Sequence, residues 1–297
     1  MADLATGSVV EPPRWHDFAI TLEFEPNSED PSRIFRAMTG LIESCEMIDK
    51  DLAASISIPV TPVLVLQDIE AGSLTTRLKY VLQSIDDDAI KNLDWKRAVG
   101  AYLVKGKKKL VEFLDNRETI RNANEIYELQ GLLGEAAAEA GLTLISLNSP
   151  VPAPRVAEDV RSLSDATRPL LPGDAALFIT DEGPVPINTS FRVTPEEIEQ
   201  LLTQESITNH LEMILMVKKP DFLGDSMWDF RHEAKKIPAK VLDTEWLEDF
   251  HRGAIALRSG DALRAFVEIE TNYGSDREVL GVHYRILRVL ELIRRSD

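Results

Sequence analysis

The hydrophobic period of the chain changes across a proline-rich spacer. Asn148 to Pro154 (NSPVPAP) carries three prolines in seven residues. Such a stretch makes neither an inner strand nor a helix and behaves as a semi-rigid extended connector. The sequence therefore predicts a domain boundary there. On its N-terminal side the apolar residues recur at helical spacing. Ile34, Phe35, Met38, Leu41, Ile42, Cys45, Ile48 and Leu52 are three and four apart, which predicts a long amphipathic helix. Trp95, Val99, Tyr102, Leu103, Leu110, Phe113 and Leu114 share one arc of a second helix over Asp94–Leu114. A third is expected from Thr119 to Ala140.

Strands frame these helices. Asp17 to Glu25 alternates, with Phe18, Ile20, Leu22 and Phe24 on one side. Ile58–Ile69 and Leu74–Tyr80 flank the tight connection Glu70-Ala71-Gly72-Ser73 and read as a hairpin. Ser32 or Asp30 is the expected cap of the first helix, and LTLISL before the spacer is a further short strand. After a bridging helix over Val156–Leu171 the texture turns to short extended runs. These are Ala175–Thr180, Val185–Val193, Leu211–Lys218, Met227–His232 and Ile237–Leu242. Short helices at Pro195–Gln204, capped by Thr194, and Glu245–His251 interrupt them. In the last pair Leu263, Ala265, Val267 and Ile269 face inward against Arg264, Glu268 and Glu270, and Val282, Tyr284 and Ile286 return inward. The expected class is α+β. A polar tail (1–14) precedes a helix-rich N-terminal domain with a few strands (15–147). A linker and bridging helix (148–171) then lead to a β-rich C-terminal domain (172–297), a small barrel or strongly curved sheet.

One stretch carries a likeness. MILMVKKPDFLGDSMWDFRHEAKKIPAKVLD (Met213–Asp243), followed by EWLEDF and RSGDALRAFVEIE, and the IEAGSL turn nearer the N-terminus resemble a family of uncharacterised two-domain bacterial proteins. The resemblance spans most of the chain and implies a phage-defence or mobile-element context. It brings no activity with it.

The formal net charge is −17. A field of that sign repels phosphate and anionic lipid at long range, so nucleic acid is the less expected partner. No apolar run approaches the ~20 residues of a bilayer span, and MADLATGSVVEPPRW lacks the apolar core of a secretory leader. A single cysteine, Cys45, excludes an intrachain disulfide. Together these predict a cytoplasmic protein without membrane contact.

Motifs for chemistry are sparse. The sequence holds no P-loop, Rossmann fingerprint, nucleophile elbow, kinase set or HExxH. Its five histidines (16, 210, 232, 251, 283) are too scattered to define a metal cage, and no cofactor is expected. Asp86, Asp87 and Asp88 could supply oxygen ligands for a hard cation, but read first as the acidic start of a helix. Glu268 and Glu270 lack the following lysine of a restriction-type nuclease core. His232 and Glu233 are adjacent, so in a strand they point to opposite faces. Cys45 lies on an apolar stripe and reads as packing; Trp228 and Phe230, two apart, read as core.

The sharper feature is basic. Residues 91–109 hold seven bases against Asp94 alone. Arg97, Lys105, Lys108 and Lys109 share the arc opposite the apolar stripe of their helix. In an acidic chain this reads either as an ordinary solvated lysine face with intramolecular acids nearby, or as a contact for an acidic protein surface, a second copy or nucleic-acid phosphate. The expected function is accordingly a non-catalytic binding or interaction module. The alternatives are a metal-dependent hydrolase or nuclease using carboxylates, and a small-molecule sensor using the C-terminal barrel.

Overall fold

In a computed structural model of the chain, the described residues are 17–24, 30–57, 60–70, 74–84, 95–142, 150–222, 224, 226–258 and 260–294. The chain divides into two units, Met1–Leu201 and Leu202–Asp297.

The first unit is built around β1 (Asp17–Glu23), whose burial on both faces comes from Phe18, Ala19, Ile20, Thr21 and Leu22. After it come α1 (Ser32–Ala54), the hairpin of β2 (Val60–Glu70) and β3 (Leu74–Ser84), α2 (Trp95–Leu114) and α3 (Ala123–Glu139). Next are α4 (Ala153–Thr167), β4 (Ala175–Thr180), β5 (Gly183–Ile187) and α5 (Pro195–Leu202). The strands form one antiparallel sheet in the order β2-β3-β1-β4-β5. Helices α1 and α2 touch the sheet, α4 packs on α1, and α3 packs on α2 and α4. The expected apolar stripes are the buried ones, including Leu41, Cys45, Ile48 and Leu52 of α1 and Val99, Leu103 and Leu110 of α2. Gly40 lets α4 come close, because a Cβ there would sit 3.0 Å from the Ala166 Cα.

Three expectations are revised. Residues 172–201, read as the start of the second domain, lie in the first unit. There β4 pairs with β1, and Asp174 is held in the core by Arg33 of α1 at 2.7 Å. Asn188 Nδ2 donates to the carbonyls of Leu114 and Arg117, and Arg192 N–H to that of Glu118. Neither Ser32 nor Asp30 caps α1, whose cap position is Pro31; the Ser32 hydroxyl donates to Asp30 instead. Within the spacer, the helix starts at Ala153 with Pro154 inside its first turn, where the missing N–H costs nothing. Thr194 does cap α5, by a reciprocal pair with Glu197. The LTLISL strand lies outside the described residues beyond Leu142, as do Asn148 and Ser149.

The second unit contains β6 (Glu205–Lys219), β7 (Trp228–His232), β8 (Lys235–Val241), α6 (Thr244–His251), β9 (Ala262–Tyr273) and β10 (Val279–Ile293). They close into a barrel in the order β10-β8-β7-β6-β9, with β10 and β9 adjacent. Every pairing is antiparallel except β8 with β10. This strand order, with a helix between the third and fourth strands, is the connectivity of an OB-type Greek-key barrel. Its interior is filled by Leu215, Trp228, Phe230, Ile237, Leu263, Val267 and Ile286, while Phe250 of α6 completes the core. Val267 and Ile286 point inward, as their alternation predicts.

Candidate interaction surface

The basic arc of α2 is engaged within the chain. Lys105 Nζ lies 3.3 Å from both Glu139 and Glu182, and Lys109 Nζ lies 3.1 Å from Glu139. Lys108 pairs with Glu182 and Glu112. Lys108 in turn holds the Glu182 carboxyl below its ordinary range, and Lys109 and Lys105 do the same for Glu139. Arg97 is exposed on the same helix. Lys105 and Lys108 edge a depression of about 50 Å³ with Val104, Thr180 and Glu182, far below the ~300 Å³ at which ligand pockets begin. The arc is thus a bridge from α2 to α3 and to the β4–β5 turn. Lys105→Glu with Lys108→Glu and Lys109→Glu is expected to destabilise by roughly 1–3 kcal/mol. Partly exposed pairs are worth up to ~1 kcal/mol each, and reversal adds like-charge repulsion. Urea denaturation of the triple variant measures it, and an unchanged midpoint would refute the bridge.

A lysine that composition merges with that arc does something different. Lys107 is buried, bonded to Asp49 of α1 and to the Tyr80 hydroxyl of β3, with its ammonium 5.0 Å from the Phe18 ring centroid. The Tyr80 hydroxyl donates to Asp49 at 2.8 Å. These groups are closed to solvent, and so is Cys45, whose thiol burial pushes up to about 12, leaving it inert. Nearby, Asp159 of α4 is fully buried with neither carboxylate oxygen hydrogen-bonded. Among the described residues no three His, Cys, Asp or Glu side chains gather to hold a metal. Asp86, Asp87 and Asp88 lie outside those residues.

In the barrel, Trp228 and Phe230 stack 5.9 Å apart inside the core. The outward side of β7 and β8 carries Asp229, Arg231, Lys236, Pro238 and Lys240. OB-type barrels use this face for oligonucleotides by stacking bases on aromatic rings, but here the rings of β7 point the other way. His232 Nδ1 bonds the Ile214 carbonyl at 2.9 Å, a structural contact.

What remains open is a flange. The first half of β6 and the ends of β9 and β10 run on past the barrel as a three-stranded sheet. Cross-strand partners project on the same side, so Ile207, Leu211, Ile269, Tyr273, Val279, Val282 and Tyr284 share one face with Val267 and Ile286 of the core, with Glu205, Asn209 and Thr271 set among them. The flange therefore prolongs the lining of the barrel into solvent. Ile207 is 40%, Leu211 41%, Val279 56% and Val282 39% exposed. Its opposite face carries polar pairs, with Arg285 bonding Glu268 at 2.7 Å and Glu270 at 2.5 Å and His210 lying 3.2 Å from Glu268, beside an exposed Phe266 that stacks on His210. Glu268 and Glu270, weighed as nuclease acids, are thus ion-pair partners. The β2–β3 hairpin also exposes apolar residues, but divided between its two faces, Val63 with its partner Val81 on one and Leu66 with Ile69 on the other.

No protein-family model, curated protein or solved structure matches the chain. No helix among the described residues is long and apolar enough to cross a membrane.

Proposed function

We propose that the chain is a non-catalytic interaction module that binds a protein partner on the apolar face of its barrel flange. The observation that supports this is the continuity of that face with the barrel interior. The same alternation that builds a core at Val267 and Ile286 leaves Ile207, Leu211, Val279 and Val282 uncovered. Exposed apolar side chains grouped on one sheet face, here with Asn209 and Thr271 among them, mark interaction sites, and burying them returns ~25 cal/mol per Å². The test uses wild type and a Leu211→Asp, Val282→Asp variant as immobilised baits in native-host lysate. Both positions are solvated, so each change is expected to stay within about ±0.5 kcal/mol of wild-type stability. Wild type is expected to retain a protein that the variant loses at unchanged melting temperature. A variant that retains every wild-type partner would refute the reading.

A further inference from the structure

The open side of β6 identifies what kind of segment the flange takes. On one side β6 pairs with β9 over Glu205–Met216 without a register shift. On the other it meets β7 only from Met216 onward. Residues 205–212 are all exposed, and among the described residues no strand pairs with their outer edge. The Val217 N–H donates to Asp261 on the β9 side, so the odd residues of β6 turn their backbone groups toward β9. By alternation Ser206, Thr208, His210 and Glu212 turn theirs outward. That edge ends at Ile214, where the His232 side chain takes the outward carbonyl.

We propose that the occupant is an extended, basic segment of another protein, which adds to β6 as a further strand over Glu205–Glu212. This rests on the flange reading above and specifies its partner. Strand addition uses main-chain hydrogen bonds for affinity and alternate side chains for specificity. One face of the incoming strand lies beside Ile207 and Leu211 and is apolar. Charge selects the rest. The flange and its turn carry Glu205, Glu212, Glu268, Glu270, Asp276 and Glu278 against only Arg277 and Arg285, the latter shared between Glu268 and Glu270. A chain of net charge −17 steers cations toward this edge and repels a second copy of itself.

The probe is an acetylated, amidated heptapeptide of alternating valine and lysine. Its binding to the full chain is followed by fluorescence anisotropy and by amide shifts of Ser206, Thr208, His210 and Glu212. Two control peptides carry N-methyl groups on alternate amides or glutamate for lysine, and each is expected to bind at least tenfold more weakly. Thr208→Pro removes one outward N–H while leaving the β9 ladder intact, as proline is tolerated on an edge. It is expected to weaken the lysine peptide at least tenfold, with the circular dichroism spectrum unchanged. Equal binding of the N-methylated peptide, or no binding of the lysine peptide, overturns the proposal; the peptide controls decide it even if the proline variant misfolds. A concentration-dependent dimer in sedimentation, lost in Thr208→Pro, would overturn it in favour of a second copy. Loss of a lysate partner in Leu211→Asp, Val282→Asp but not in Thr208→Pro would overturn strand addition and leave the apolar face standing. The reverse pattern would remove the apolar face and keep the edge.

Discussion

Asp159→Asn is expected to make the protein more stable, and more so as pH rises. Burial raises the Asp159 carboxyl to about 8, with further push from Asp51, Asp49 and Glu158 and only Arg155 opposing. In the unfolded chain the same group titrates near pH 4. Between those values the folded form keeps a proton that the unfolded form releases, so unfolding is progressively favoured as pH increases. The cost is absent below about pH 4, grows through neutrality and levels off above about pH 8. A span of roughly four pKa units corresponds to roughly 5 kcal/mol at its upper end. In a unit of this size that is on the order of 10 °C in Tm. Melting curves of wild type and Asp159→Asn at pH 4.5 and pH 8.5 check it. The two should nearly coincide at the lower pH and separate at the higher. A constant offset would mean that packing, not ionisation, sets the difference.

Lys107→Met is expected to have the opposite sign and similar size. It leaves the Asp49 carboxyl buried with Tyr80 as its remaining hydrogen-bond partner, and breaking a buried pair from one side costs about 3–5 kcal/mol. Removing both charges, Lys107→Met with Asp49→Leu, is expected to recover most of that loss. Desolvating the pair is itself expensive. Denaturant midpoints of the two single variants and the double variant form the cycle. A double variant that is less stable than either single would show that the pair is worth more than its desolvation.

Both predictions concern residues whose type disagrees with their spacing, and this is where the sequence was hardest to read. Lys107 falls between Leu103 and Leu110, Asp49 between Cys45 and Leu52, and Asp159 between Val156 and Leu163, each at helical steps of three and four. The stripe marks those positions as buried, while the side chain argues for solvent. Lys107 was submerged in a run of bases that otherwise do sit near the surface. For Ile48 or Val267 type and spacing agree, so helices, strand faces and barrel class were legible. The first half of β6 was not, because both of its faces are solvated and Ile207, Asn209 and Leu211 alternate only faintly. Nor could Ala175–Thr180 announce its partner: alternation says that a strand has a buried face, not which sheet supplies it. Salt-bridge partners such as Glu139 and Glu182 lie far along the chain from their lysines, and only tertiary folding brings them there.

The barrel is closed unevenly. Between β9 and β10 the ladder runs from Val279–Tyr273 to Ile293–Ala262, whereas β8 meets β10 only through Tyr284–Ala239, Arg285–Lys240 and Ile286–Val241. Strands part first where the fewest bonds hold them. The β6–β7 ladder is as short, through Met216–Arg231, Val217–Phe230 and Lys219–Asp229 with a register shift, so opening of this unit is expected along the two seams that flank the β7–β8 hairpin. When both open, the β7–β8 hairpin lifts away while β6, β9 and β10 stay joined as one sheet. The flange belongs to the part that stays whole, so its surface persists through the fluctuations that momentarily undo the closed barrel.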